Sequence, residues 1–306
     1  MTREAVITVQ HLTKTFGDVV AVDDISFEVF EGEIFGLLGP NGAGKTTTLD
    51  CLEGLKKADD GQLRVLGHDP WKDRYAIRQR IGVQLQESRL QARIKVWEAL
   101  DIFASFYARP IQWDKLLEPL GLAEKRNAQF GTLSGGQKQR LFVALGMVGD
   151  GDLLFLDELT TGLDPQARHA MWDLVRDVRD RGKTIVLTTH FMEEAERLAD
   201  RVAILDHGKL VAADSPSALV RRDGDDVKIS FLAEGKLNAK QLESLAGVAR
   251  VESRDGRIMV HGTGNTFIAD VTNALQRLDC QPNDLRTENA TLEDVFLKLT
   301  GHTFRD

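Results

Sequence analysis

The first thirty residues alternate between apolar and polar positions. Val6, Ile7 and Val9 fall in one run and Val19, Val20 and Val22 in another. Ile25, Phe27 and Val29 then take every second position. A period of two marks a strand with one face buried, and Gly17-Asp18 and Glu31-Gly32 supply the turns. The pattern predicts an antiparallel sheet. It then changes: residues 34–38 are apolar apart from Gly36, and residues 153–156 and 185–187 repeat this density. Short continuous runs suit strands buried on both faces of a parallel sheet. Helical stripes separate them. Asp164 caps one, with Pro165 at its first position; Met171, Leu174, Val175 and Val178 form its apolar face, and Gly182 ends it. Alternating strands and helices predict an α/β core.

Residues 87–149 interrupt that alternation. Val96, Leu100 and Phe103 mark one helical stripe, and Leu141, Ala144, Leu145 and Val148 another, so a helical subdomain over about 87–150 is expected. A helix over 191–200, a strand over 202–205 and a short helix opening at Ser215-Pro216 complete a first domain of residues 1–220. The charged, glycine-containing run at 221–226 reads as a boundary. Beyond it, residues 221–306 predict a small α+β domain. Its expected strands lie over 227–232 and near Leu285, with a hairpin around Asp255-Gly256; its expected helices lie over 238–245, 267–278 and 292–299.

Composition narrows the classes. At roughly 100–200 residues per domain, 306 residues suit about two domains. With 42% hydrophobic and 28% charged residues, large-scale disorder is not expected. The balance of 47 acidic against 39 basic residues gives a formal charge of -8, a poor match to a nucleic-acid backbone, and no nucleic-acid partner is expected. A small phosphate compound is compatible with that charge, because backbone N–H groups can cradle it. The two cysteines, Cys51 and Cys280, form no disulfide framework and read as reduced thiols. No stretch approaches the roughly 18 apolar residues of a membrane span. Residues 1–10 lack the apolar core of a signal peptide, so the sequon at Asn289 is expected to be without consequence.

Three stretches carry chemistry. Gly39-Pro40-Asn41-Gly42-Ala43-Gly44-Lys45-Thr46 fits G-x-x-x-x-G-K-[ST] and lies between a predicted strand and a predicted helix. The glycines let backbone N–H groups converge on phosphate oxygens. Lys45 is placed to reach the β- and γ-phosphates, and Thr46 to ligate Mg²⁺; Thr47 continues the binding segment. The buried run 153–156 ends in Asp157-Glu158, where ligands of an open α/β sheet bind. Asp157 is expected at Mg²⁺ and Glu158 as general base for the attacking water. Leu133-Ser134-Gly135-Gly136-Gln137 reads as a helix start, with Ser134 and Gln137 in a capping box. Its glycines leave N–H groups open to an anion.

Together these stretches resemble the nucleotide-binding subunits of ATP-binding cassette (ABC) transporters, over about residues 5–220. The likeness extends to Gly162-Leu163-Asp164-Pro165, to His190 after the strand Thr184–Thr189, to a glutamine loop at Ile81-Gly82-Val83-Gln84-Leu85-Gln86, and to Phe16 as the adenine-stacking aromatic. Gln86 is preferred over Gln84 by its offset from Ile81-Gly82. The resemblance implies a phosphate-loop ATPase fold, with ATP and Mg²⁺ as cofactors and two chains head to tail in a homodimer. Ser134, Gly136 and Gln137 of one chain would close over the γ-phosphate held by the other. Glu158 would activate water and His190 would position it. Gln86 would contact Mg²⁺ and Asp164 would connect the sites. His169 reads as an ordinary surface histidine. Leu159 departs from the family, which usually has proline there, and relaxes the backbone after Glu158.

The same resemblance implies a separate membrane permease and a peripheral place on the cytoplasmic membrane face. A docking groove is expected near residues 87–106, with Trp97, Phe103 and Phe106 as candidates that equally suit core packing. Residues 287–301 and Gln86-Glu87-Ser88-Arg89-Leu90 resemble the daunorubicin-resistance type of export ATPase. Export of a drug or other hydrophobic cargo is therefore expected; an importer ATPase with a regulatory tail and a soluble non-transport cassette protein are the alternatives.

Overall fold

The computed structural model describes residues 4–84, 89–223, 227–233, 240–254, 256–262, 266–278, 280–288 and 290–302. It divides into two compact units, one running to Pro216 and the other beginning at Ser217.

The first unit opens with β1 (Ala5–Phe16), β2 (Val19–Phe30) and β3 (Ile34–Leu38), followed by α1 (Lys45–Leu52), β4 (Asp60–Val65), α2 (Arg74–Arg78) and β5 (Ile81–Gln84). The helical segment carries α3 (Val96–Ala104), α4 (Asp114–Leu117) and α5 (Gly135–Met147). Then come β6 (Leu153–Asp157), α6 (Pro165–Asp180), β7 (Thr184–Thr189), α7 (Met192–Leu198), β8 (Arg201–Asp206) and β9 (Lys209–Asp214).

β1 and β2 pair antiparallel, and β4 adds to the free side of β1. The two runs expected between residues 19 and 29 form one strand. Asp24 takes a left-handed φ of 53° where the register shifts, the mark of a bulge that leaves Val22 buried along with Ile25, Phe27 and Val29, while Val19 and Val20 are exposed. The central sheet has six strands in the order β5-β6-β7-β3-β8-β9, parallel except for the β8–β9 pair.

Alternation explains why its middle strands are densely apolar. Leu153, Phe155 and Val186 join one core with β1, β2 and α1. Leu154, Leu156, Ile185 and Leu187 join the other, with α3, α5 and α6. With both faces covered, no position on these strands is free to be polar unless it has a partner.

α5 lies close against β5. A methyl group on Gly82 would fall 2.1 Å from the Gly146 carbonyl oxygen and 2.7 Å from Leu154 Cδ1. Gly82→Ala is therefore expected to destabilise the protein by about 3 kcal/mol, at the upper end for overpacking. Urea unfolding measures it, and a loss below about 0.5 kcal/mol would contradict this packing.

The second unit contains α8 (Pro216–Asp223), β10 (Val227–Ala233), α9 (Lys240–Glu243), β11 (Val248–Arg254), β12 (Arg257–Gly262), α10 (Phe267–Arg277), β13 (Pro282–Glu288) and α11 (Leu292–Thr300). Its four strands form an antiparallel sheet in the order β11-β12-β10-β13. Ile229, Phe231, Ile258, Val260, Phe267, Val271 and Leu275 make its core. Thr291 and Asp294 cap α11 reciprocally. Leu292, Val295 and Phe296 are buried as the stripe predicts, whereas Leu299 is exposed.

Candidate functional site

The phosphate loop joins β3 to α1. Gly42 and Gly44 take φ values of 83° and 97°, which favour glycine over any L side chain. Space forbids a side chain as well: a methyl on Gly44 would sit 2.4 Å from the Ala21 carbonyl oxygen, and one on Gly39 would sit 2.3 Å from that of Leu205. Gly44 is the N-cap of α1 and offers no side-chain cap. The N-terminal N–H groups of α1 thus receive no side-chain cap from that residue and suit an anion.

Lys45 is buried beneath the loop. Its Nζ donates to the carbonyls of Gly39 (2.7 Å) and Pro40 (3.0 Å) and lies 3.9 Å from Glu158 Oε1. Burial pulls its pKa below the ordinary lysine value, opposed by the carboxylates of Glu158 and Asp157.

Asp157 ends β6, and Glu158 follows with a left-handed φ of 48°. A non-glycine residue in that region carries strain that its surroundings must hold. Thr188 on β7 holds it. The Glu158 N–H donates to Thr188 Oγ1 (3.0 Å) and to its carbonyl (3.3 Å). The same hydroxyl donates to Asp157 Oδ1, which also accepts from Thr46 Oγ1 at 3.5 Å. Burial raises the Asp157 pKa; the Thr188 hydrogen bond works against it, and the neighbouring Glu158 reinforces it. Thr161 Oγ1 donates to Glu158 Oε2 at 3.3 Å, and His190 Nδ1 lies 3.4 Å from Glu158 Oε1. His190 stacks on Phe191, with ring centroids 4.1 Å apart. Lys45, Thr46, Asp157, Glu158 and His190 are therefore linked through short contacts. Leu159 is buried in the core beside α5, so it fills space where a proline would have stiffened the backbone.

Phe16 ends β1 and is 43% exposed. The ammonium groups of Lys14 and Lys56 lie 5.3 and 5.1 Å from its ring centroid. An aromatic face flanked by cations suits a phosphorylated, π-rich ligand.

The segment Leu133 to Gln137 lies elsewhere. Ser134 caps α5: its Oγ accepts from the Gln137 N–H (3.3 Å), and the Gln137 side chain accepts from the Ser134 N–H (3.0 Å). Asp164 caps α6 in the same way, accepting from the Ala167 N–H at 2.8 Å. Both helix starts open into one depression of about 370 Å³, lined by Ser134, Gly135, Gly136, Gln137, Gly162 and Asp164 among others. No residue of the phosphate loop, nor Asp157, Glu158 or His190, lines it. One chain therefore carries two separated anion-binding features.

Gln86 lies outside the described residues. Of the three aromatic candidates, Phe103 and Phe106 line an apolar groove with Tyr75 and Leu55, while Trp97 lines a different depression with Arg93, Glu98 and Ile102. On α3, Phe103 lies six positions after Trp97, which sets the two side chains roughly 120° apart around the helix. His169 packs on Trp172, centroids 4.8 Å apart, away from these clusters. Thr188 was not singled out from the sequence, although a hydroxyl in a fully buried strand must find a partner.

A family model described as ABC transporter matches residues 22–161. The Nod factor export ATP-binding protein I of Burkholderia orbicola (strain AU 1054) is 42% identical over 99% of this chain and 99% of that protein. Its namesake from Rhizobium sp. (strain N33) is 41% identical over 94% of each. A solved structure described as an ATP-binding subunit of an ABC transporter is 26% identical, with a TM-score of 0.64 over 71% of this chain and 92% of that one.

Proposed function

The chain belongs to the ATP-binding subunits of ABC transporters, and on that premise we propose that it powers export through a permease carried on a separate polypeptide. It is an ATPase. The relatives named for export match it along almost their whole length, second unit included, which favours export over import or a non-transport role. Among the described residues, no helix is long and apolar enough to cross a membrane. The membrane pathway therefore belongs to the partner, and the chain works from the cytoplasmic face. We keep the division at residue 220, with 221–306 as an accessory domain.

The geometry supports the following mechanism. The phosphate-loop N–H groups and Lys45 bind the β- and γ-phosphates, and Lys45 exchanges the Gly39 and Pro40 carbonyls for phosphate oxygens. The purine stacks on Phe16. Glu158 takes a proton from the attacking water, and His190, beside the same carboxylate, orients that water toward the γ-phosphorus. Thr46 and Asp157 present hard oxygen donors, which fit Mg²⁺; when bound it neutralises charge on the phosphates.

The observation that carries the assembly is the separation of the two anion-binding features. In one chain the Ser134–Gln137 depression and the phosphate loop do not share a cavity, which supports closure by a second chain. Two chains, head to tail, bring each helix start to the other's γ-phosphate, and Asp164 sits beside both. ATP is then the bridge of a homodimer.

Thr188 positions the Asp157 carboxylate and the Glu158 backbone. Thr188→Val is expected to lower kcat about 10–100-fold with little change in ATP affinity, and Thr188→Ser to restore most of it. A Val variant with wild-type turnover would contradict this role. Export itself is tested by purifying the chain with its permease and assaying ATP hydrolysis with cargo. Cargo stimulation in inside-out vesicles, with movement of cargo away from the ATPase, supports the reading; accumulation toward the ATPase side overturns it.

A further inference from the structure

The groove walled by Phe103, Phe106 and Tyr75 has a volume of about 440 Å³ and an apolar rim. Tyr75 and Phe106 are 76% and 65% exposed, far more than such rings are in a finished core. The groove also holds a group that apolar walls do not explain. Glu53, one residue past α1, lines it and is 3% exposed. Its Oε2 has no hydrogen-bond partner among the described residues. Burial, with the carboxylates of Asp50 and Asp157 behind it, pushes its carboxyl up to about 9, so the free chain carries it uncharged at neutral pH. Arg78 and Tyr107 line the same groove, yet among the described residues no ion pair to Glu53 forms. A buried acid with acidic neighbours and no paired cation among the described residues gains from an incoming positive charge.

We propose that Glu53 receives a lysine or arginine side chain of the permease's docking segment, whose apolar face lies along the aromatic walls. This rests on the reading of the chain as a transporter subunit. On docking, Glu53 gives its proton to solvent and its carboxylate pairs with the entering cation. Glu53 directly follows the helix that begins at the phosphate loop, so the pair forms at the far end of the element that holds the nucleotide.

The test uses the full chain co-expressed with its permease. Glu53→Gln has the shape of the neutral acid, so fold and unstimulated ATPase activity are expected to persist. It should weaken permease binding at least 10-fold, and Glu53→Lys about 100-fold. One Lys or Arg→Glu change in the permease's cytoplasmic loops should restore binding to the Glu53→Lys chain. Should Glu53→Lys fail to fold, calorimetry in two buffers of different ionisation enthalpy decides. The wild type should release close to one proton at pH 7 on binding, and Glu53→Gln none. Wild-type binding matched within twofold by Glu53→Gln, with equal proton release, overturns the pairing alone. A wild-type chain that binds no permease overturns the transporter reading along with it.

Discussion

Glu158→Gln is expected to lower ATP turnover by about 10²–10⁴-fold while leaving ATP affinity within twofold of wild type. The amide keeps the volume of the carboxylate, and its oxygen still accepts from Thr161 Oγ1. The backbone bonds to Thr188 are untouched, so the strained φ of 48° persists. What disappears is the ability to take a proton from water. Steady-state phosphate release and equilibrium nucleotide binding separate these effects. Turnover above about a tenth of wild type would remove Glu158 from the role of general base.

Lys45→Ala is expected to fail one step earlier, at binding. Lys45 is a buried cation whose hydrogen-bond acceptors among the described residues are backbone carbonyls, and it lies within 3.9 Å of one carboxylate. Its charge-assisted bonds go to phosphate oxygens once ATP arrives. Losing them is expected to weaken ATP binding on the order of 100-fold, which corresponds to about 2.8 kcal/mol. Titration calorimetry measures the change. Unchanged affinity in a folded Lys45→Ala chain would sink the phosphate-loop assignment.

Both residues could be found without coordinates because their motifs are local. The spacing from Gly39 to Thr46 and the acidic pair after residues 153–156 each lie on one strand end, so chain order alone places them. The strands β3, β6 and β7 were legible for a related reason: burial on both faces leaves a dense apolar run. Less was legible where side chains do not report their surroundings. β4 is mostly exposed, with Asp60, Gly61, Gln62 and Arg64 in a six-residue strand, and carries no usable alternation. The strand order β5-β6-β7-β3-β8-β9 depends on crossovers that no local pattern encodes.

The site shows the same division. Thr188 sits 30 residues from Glu158 and meets it only because β6 and β7 are neighbours. Trp97 shared a helix with Phe103 but not a face. Glu53 carries no signal in the sequence pattern; its burial at 3% exposure is a property of the packed groove.

The central claim is that two chains share each ATP. It is tested most directly by the mass of the Glu158→Gln chain in solution, measured by light scattering with and without saturating ATP and Mg²⁺. The account predicts 34.0 kDa without nucleotide and about twice that mass with it, and predicts that adding Ser134→Arg to the same chain abolishes the shift. A Glu158→Gln chain that holds ATP yet stays at 34.0 kDa would contradict it.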